Sequence, residues 1–437
     1  MEEICSIVTI SRNEESLLSR FFDSIEKNFP KGIEIVILDT GSTDNSVEIC
    51  KKRGAKVFEV GDKFAWLYDV SSAMFVNQMI GEPLVRPTDR CFFFDQARNE
   101  ATKYATKEWC LSLDAAQIIT KINLLNLEKT LRDAPENVGC MDFKIILKSS
   151  KFSSQRIYRR NSAYWEHPVH ELLLPHDGKI STEMKNFEVE HIRKAGDSKN
   201  YIPMLAHAYF LAPFKKPGDQ ARRLFYFARE LFYHSHWKAA RKFFALCMDR
   251  NDNWVKERSD ACCYWAETWR EDNSDQDGPH YEDWIDKRRE GYIRSLNIFC
   301  GWRKPLLKLS DLAYKQNDWL GTIAYASQAL RIKEQALSPL HIEDSSFYTT
   351  EPYRLKYVGL VRLVMQMQSA GMDPESTIEE YLLVEGKTGC SEEVFLTGWD
   401  LAFNHFLPKD KKRASLLFTK CLALDPKRYE SKKNLFT

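Results

Sequence analysis

Charge of one sign, membrane-length apolar runs and paired cysteines are all missing from this 437-residue sequence. Its 63 lysines and arginines meet 62 aspartates and glutamates, leaving a formal net charge of +1. That balance speaks against a surface built as one field for nucleic acid, although a local basic patch stays open. No uncharged run approaches the roughly 20 residues of a membrane helix. The opening MEEICSIVTISRNEE lacks the basic start, long apolar stretch and small-residue cleavage site of a secretion signal. A cytoplasmic location without a membrane span is therefore expected. The eleven cysteines include no CxxC pair, and Cys5, Cys50, Cys110 and Cys140 sit in apolar or amphipathic stretches. Buried, reduced thiols follow, rather than a disulfide framework.

What is present is an ordinary globular composition, 43% hydrophobic and 29% charged, long enough for two or three domains. The first quarter alternates strand and helix signals. CSIVTIS reads as a strand, EESLLSRFFDSIEKNF places Leu17, Leu18, Phe21, Phe22 and Ile25 at helical spacing, and IEIVILDT is a second strand. STDNSVEICKKRG reads as a helix capped by Ser42 or Thr43 and stopped by Gly54, and AKVFEV as a third strand. This β-α-β-α-β order implies a parallel sheet with its binding crevice at the carboxyl ends of the strands. Residues 62–92 interrupt it without a clean period and read as an insertion, a lid or a packed loop. The alternation resumes with the helix FDQARNEATKYAT and the strands EWCLSLD, CMDFKIILK and QRIYRR. An α/β domain over residues 1–200 accounts for all of these.

Residues 201–437 change character. DQARRLFYFARELFYHSHWKAARKFFALCM reads as two helices around a turn at His234 to His236, and LLKLSDLAYKQNDWLGTIAYASQALRI repeats that plan with Trp319 in the place of Trp237. FNHFLPKDKKRASLLFTKCLALDP repeats it loosely. Helical hairpins of the tetratricopeptide kind, stacked on a shared core, are expected. The acidic stretch EDNSDQDGP, 271–279, has a calcium loop's composition but not its spacing, and reads as a connection.

LDTGSTDNS ends the second strand on Asp39 and turns through Gly41 into a helix. A carboxylate there can accept hydrogen bonds from a base or ribose, although Asp and Ser also cap helices for structural reasons alone. VTISRNEESL, VILDTGSTDNS, FDQARNEA and WCLSLDA, in that order, resemble family 2 glycosyltransferases of the type A fold. RIYRRNSAYWEHPVHELL resembles the R-x-x-R…G-x-V-H-E segment of the subgroup that carries tetratricopeptide-like helices. The resemblance covers the first half of the chain. It implies an α/β nucleotide-binding αβα sandwich followed by an all-α repeat domain, and inverting transfer of a sugar from a nucleotide-diphosphate donor such as a UDP-sugar.

Position by position, it implies that Thr9, Ser11 and Glu14 line the nucleotide pocket and that Asp39 holds the base. Asp95, Arg98 and Asn99 would lie beside the nucleotide and diphosphate, and Asp114 and Ala115 beside the donor. Arg98 suits that place because a guanidinium can fork two phosphate oxygens. Asp114 takes the first place of the family's D-x-D motif, whose second acid ordinarily binds a divalent cation (Mn or Mg). Here that second place is Ala116, and Gln117 follows. Three readings stay open: a weakened metal held by Asp114 and His191, a metal-free site neutralised by Arg and Lys, or an inactive site serving as a scaffold.

For the general base that inversion requires, the resemblance points to Glu171, with His170 orienting the acceptor or the sugar. A His beside a Glu is also often structural. The repeats imply a protein or peptide acceptor, with a glycan open, and are compatible with a homodimer.

Overall fold

The computed structural model describes residues 4–147, 150–192, 200–214, 218–271, 281–333 and 345–436. The described residues divide into two compact units, one up to Asn253 and the other from Trp254 onward.

In the first unit, strand β1 (Cys5–Ser11) leads into helix α1 (Glu15–Asn28), β2 (Glu34–Asp39) into α2 (Ser46–Lys52), and β3 (Lys56–Glu59) follows. Then come β4 (Ala65–Leu67), α3 (Val70–Ile80), β5 (Arg90–Phe92), α4 (Phe94–Lys103), β6 (Trp109–Ser112), β7 (Gln117–Ile122) and α5 (Leu124–Arg132). The sheet is completed by β8 (Val138–Leu147), β9 (Ser150–Arg159) and β12 (Ile180–His191), while β10 (Ala163–Glu166) and β11 (Leu172–Pro175) form a separate hairpin. The eight strands run in the order β3-β2-β1-β6-β9-β8-β12-β7. Strands β3, β2, β1 and β6 are mutually parallel, as the β-α-β alternation requires. Beyond β6 the sheet turns mixed: β9 is antiparallel to both β6 and β8. Strand β12 is parallel to β8 and antiparallel to the edge strand β7, so in that half the β8–β9 return is a hairpin whereas β7 reaches β8 through α5.

Side-chain alternation sorts the core into two faces. Cys5, Ile7, Ile35 and Ile37 pack with Leu18, Phe21 and Phe22 of α1 and Leu127 and Leu131 of α5. Val8, Val36 and Leu38 point the other way, onto Ala97 and Ala101 of α4 and onto Trp165. Each fully buried Phe contributes about 1.5–3 kcal/mol. The same parity puts Thr9, Ser11 and Asp39 on the α1 side, where the apolar positions give way to polar ones at the strand ends.

Two local expectations are corrected. Helix α2 starts at Ser46, with Asn45 before it, not at a Ser42 or Thr43 cap. Ser42 Oγ instead accepts the Asn13 N–H at 2.9 Å, and the Thr43 N–H donates to Asn13 Oδ1 at 2.7 Å, so both serve the loop after β1. Residues 62–92 are not a period-less loop. They hold α3, capped reciprocally by Asp69 and Ser72, and a two-stranded pairing of β4 with β5. The period was hidden because apolar Val70, Met74, Phe75 and Met79 are exposed on α3, blurring its two faces.

The insertion docks on α6 (Ile202–Phe210): Tyr68 Oη donates to Pro203 O at 2.9 Å, and the His207 ring sits 4.4 Å from Trp66 and 5.3 Å from Phe93. Burial, helped by the nearby Arg223 charge, pulls His207 from 6.5 down to about 4. A neutral buried histidine stabilises the fold fully above its unfolded value, and the contribution is lost as pH falls from 6.5 toward 4, because the unfolded chain binds the proton first. At 1.36 kcal/mol per unit this is on the order of 3 kcal/mol. Urea melts at pH 7 and pH 4.5 are expected to show a smaller drop for His207→Phe than for the parent; an equal drop would refute the assignment.

Helices α7 (Asp219–Tyr233) and α8 (Trp237–Asp249) close the first unit. In the second, α9 (Val255–Glu271), α10 (Tyr281–Ile298), α11 (Arg303–Lys315), α12 (Trp319–Arg331), α13 (Glu351–Ser369), α14 (Glu375–Val384), α15 (Glu392–Phe406) and α16 (Lys411–Leu424) pair as successive hairpins. Trp237 and Trp319 each open a second helix and pack edge-on against the aromatic five residues earlier, Phe232 at 5.1 Å and Tyr314 at 5.4 Å. Cys5, Cys50, Cys110 and Cys140 are buried free thiols. The acidic connection lies, after Glu271, outside the described residues. No described helix is long and apolar enough to cross a membrane.

Candidate functional site

Two neighbouring groups of polar residues gather at the carboxyl ends of β1, β2 and β6. The first follows from strand register. Ser11 lies beside Asp39 across the β1–β2 ladder, and Thr9 is two residues back on the same face. All three are buried. Asp39 Oδ1 accepts the N–H groups of Gly41 and Ser42, both at 3.0 Å, in a turn where Gly41 has φ +92°. Asp39 Oδ2, Thr9 Oγ1 and Ser11 Oγ are buried without hydrogen-bond partners. Buried polar atoms are rarely left so, and each costs about 1–3 kcal/mol. Three together mark the strand ends as a cluster of polar atoms that the fold itself leaves unsatisfied.

The second group lines a cavity of about 510 Å³ whose wall includes Glu14, Arg98, Asp114, Ala115, Ala116, Arg156, His170, Glu171 and His191. Arg98, on α4, is its hub. Its Nε donates to Glu171 Oε1 at 2.8 Å, Nη1 to Ser112 Oγ at 3.1 Å, and Nη2 to Asp114 Oδ1 at 2.7 Å. The guanidinium lies 4.9 Å over the Trp165 ring, and Arg156 lies 5.4 Å over the same ring. Arg156 Nη1 stands 3.6 Å from the other oxygen of Asp114. Burial alone would raise the Asp114 carboxyl, but the charges of Arg98 and Arg156, with His191 adding to them, hold it far below the usual range. The same two carboxylates more than offset the burial of Arg98 and raise it. Burial lowers Arg156, only partly compensated by Asp114.

Asp114 stands just past β6 in a tight turn: its carbonyl accepts the Gln117 N–H at 2.8 Å, and its N–H donates to Gln117 Oε1 at 3.0 Å. The Ala116 carbonyl takes the Ile192 N–H at 2.7 Å, bringing the end of β12, and with it His191, to the cavity. Gln117, where an acid often follows in the motif, is thus spent on bracing the turn.

His170 and Glu171 sit in the loop of the β10–β11 hairpin, not on a strand. His167 and His170 have φ of +76° and +54°, a conformation that costs non-glycine residues and tends to cluster at functional sites. The His170 ring stacks on Tyr226 at 4.3 Å. Burial first, then the charges of Arg229 and Arg222, push it well below its usual value, so it is neutral at pH 7.

Glu14, Arg98, Asp114, Ala115, His170, Glu171 and His191 are therefore brought together in the cavity wall, with Thr9, Ser11 and Asp39 buried at the ends of β1 and β2. Asp95 and Asn99 are placed otherwise. Asp95 is buried on α4, where its charge, with those of Glu166 and Asp219, acts on Arg223. The Asn99 side chain is consumed by the Trp165 backbone, donating to its carbonyl and accepting its N–H at 2.8 Å each. Asn99 thus fixes the ring that carries both arginines. Sequence reasoning gave no role to Arg156, Trp165 or Ser112; the R-x-x-R pattern over Arg156 and Arg159 was the available signal.

Outside the cavity wall, the ligating atoms of Glu166, His167 and Asp219 lie within 4.8 Å of one another, all buried, and those of Asp373, Glu375 and His405 do so in a more exposed setting of the second unit. Either triad could hold a metal ion.

The family model for glycosyl transferase family 2 matches residues 6–63, which span β1 to β3. No curated protein matches the chain. Among solved structures, residues 1–349 of S. aureus TarS in complex with UDP-GlcNAc are similar at 14% identity and a TM-score of 0.31, covering 74% of this chain and 90% of that one. Glucosyl-3-phosphoglycerate synthase from Mycobacterium tuberculosis is similar at 16% identity and TM-score 0.28, covering 44% and 73%. The C-terminal part of a TPR repeat-containing protein from Cytophaga hutchinsonii is similar at 12% identity and TM-score 0.34, covering 50% and 73%. Likenesses this loose carry no weight for the chemistry, which rests on the residues. Over residues 6–63 this chain carries the glycosyl transferase family 2 pattern, at the front of a sheet domain followed by helical hairpins.

Proposed function

We propose that the protein is an inverting glycosyltransferase that takes a sugar from a nucleoside-diphosphate donor, a UDP-sugar, and passes it to a protein or peptide acceptor. One observation carries the reading: the unpartnered buried oxygens of Thr9, Ser11 and Asp39, aligned at the ends of β1 and β2. Uracil offers an N–H donor for Asp39 and carbonyl acceptors for the hydroxyls of Thr9 and Ser11, so binding would satisfy atoms that the protein leaves unpaired. Glu14 and the amides at the starts of α1 and α2 would border the ribose and phosphates. The boundary near residue 200 is retained for the catalytic domain proper, with α6 to α8 packed against it.

In this reading Arg98 positions Glu171 and Asp114 rather than binding phosphate alone, since three of its nitrogens already have partners. Glu171 accepts the acceptor's proton as general base. Neutral His170, held by its stack on Tyr226, gives or takes a hydrogen bond from the sugar or acceptor.

Asp39→Asn keeps an amide oxygen for Gly41 and Ser42 but replaces the unpaired oxygen by a donor. Calorimetric titration with uridine and UDP-glucose is expected to show binding weakened about 10–100-fold, the scale of one charge-assisted hydrogen bond, with an unchanged or higher melting temperature. Equal binding by parent and variant would remove Asp39 from the base site. The second reading, a nucleotide-sugar-binding scaffold without turnover, is favoured by Ala116 in the place of the second acid. Slow release of free sugar from a bound UDP-sugar separates the two, because a site that only binds releases none.

A further inference from the structure

We infer that Arg156, not a divalent cation, meets the diphosphate of the donor. This deepens the transferase reading and rests on it.

The donor set around Asp114 does not fit a metal. Magnesium and manganese want several hard oxygen ligands with free lone pairs. Asp114 is the one carboxylate of the motif, and each of its oxygens already faces a guanidinium, Arg98 at 2.7 Å and Arg156 at 3.6 Å. The second acid is replaced by Ala116, the Gln117 oxygen is bonded to the Asp114 N–H, and Glu171 is paired with Arg98. A cation beside Asp114 would be added to two positive charges instead of being drawn by two negative ones.

Arg156 has what a phosphate needs. It lines the cavity with its side chain 15% exposed. Its Nη1 is buried without a hydrogen-bond partner, since 3.6 Å to Asp114 is an ion pair beyond bonding length. Its plane is held over Trp165, which Asn99 pins at two backbone atoms, so the guanidinium is set in place before any ligand arrives. Arg98 on the same ring is bonded through all three of its nitrogens and stays with the carboxylates, leaving Arg156 to turn its unspent donors to phosphate oxygens. In the transfer, the acceptor's nucleophilic atom forms a bond to the anomeric carbon. The bond from that carbon to the β-phosphate oxygen breaks, its electron pair leaves on the nucleoside diphosphate, and the acceptor's proton goes to Glu171. Arg156 neutralises the charge that accumulates on the leaving diphosphate.

The test is titration of uridine and UDP into the full chain and into Arg156→Gln and Arg156→Lys, each in EDTA and in manganese. UDP is expected to bind the parent in EDTA within about threefold of its affinity in manganese. Arg156→Gln should lose about 10–100-fold for UDP, the scale of a charge-assisted bond, while holding uridine as before, and Arg156→Lys should recover part of the loss. Unchanged uridine binding also shows that the variant is folded. UDP binding that requires manganese, or that is unaffected in Arg156→Gln, would overturn the inference and leave the nucleotide reading standing. A parent that binds neither uridine nor UDP would overturn both.

Discussion

Replacing Arg98 by alanine is expected to cost the protein about 3–5 kcal/mol of stability and its activity together. The guanidinium is 6% exposed and bonds Glu171, Ser112 and Asp114 at once, so its removal strands two carboxylates in a partly buried wall. Breaking a buried ion pair from one side is expensive because the remaining charge is uncompensated. Arg156 relieves Asp114 only in part, from 3.6 Å, and Glu171 has no other cation bonded to it among the described residues. Urea denaturation should show the loss at neutral pH. It should shrink in the double variant Arg98→Ala with Glu171→Gln, because the second change removes one stranded charge. Sugar transfer should fall by about a thousandfold or more, since both Glu171 and Asp114 lose the contact that aims them. A variant that melts like the parent would show that the three bonds are not the hub of the site.

The second large effect is on chemistry alone. Glu171→Gln keeps the shape and an oxygen for the Arg98 Nε–H but cannot take a proton, and kcat for transfer is expected to drop by about 10²–10⁴. The KM for the donor should stay within a few fold, because the base acts on the acceptor. A loss of less than about tenfold would move the base to another group. Neutral His170, beside it on the same strained loop, is the first to examine.

What could be read along the chain were the features written in local spacing. The strands CSIVTIS and IEIVILD and the carboxylate of Asp39 at a strand end were legible from spacing, whereas Thr9 and Ser11 came from the family resemblance; that all three share one face follows from the ladder itself. The helical hairpins were also legible from spacing, with Trp237 and Trp319 repeating one turn-plus-aromatic contact five residues apart. Asp114 was legible as a carboxylate closing an apolar run, and Ala116 as a missing partner only through the resemblance to the family's D-x-D motif.

What only the tertiary structure decided is which side chains stand around Asp114. Arg98 and Glu171 are 73 residues apart and Asn99 and Trp165 are 66 apart, and they meet because β9 and the β10–β11 hairpin fold back beside α4 and β6. No local period encodes such a return, so neither the seat of Arg156 over Trp165 nor the hold of Asn99 on the Trp165 backbone could be read from spacing. The physical reason is range. Periodicity reports which side chains share a face within one element, whereas the partner of a buried charge is chosen by whichever distant element the sheet order brings alongside it.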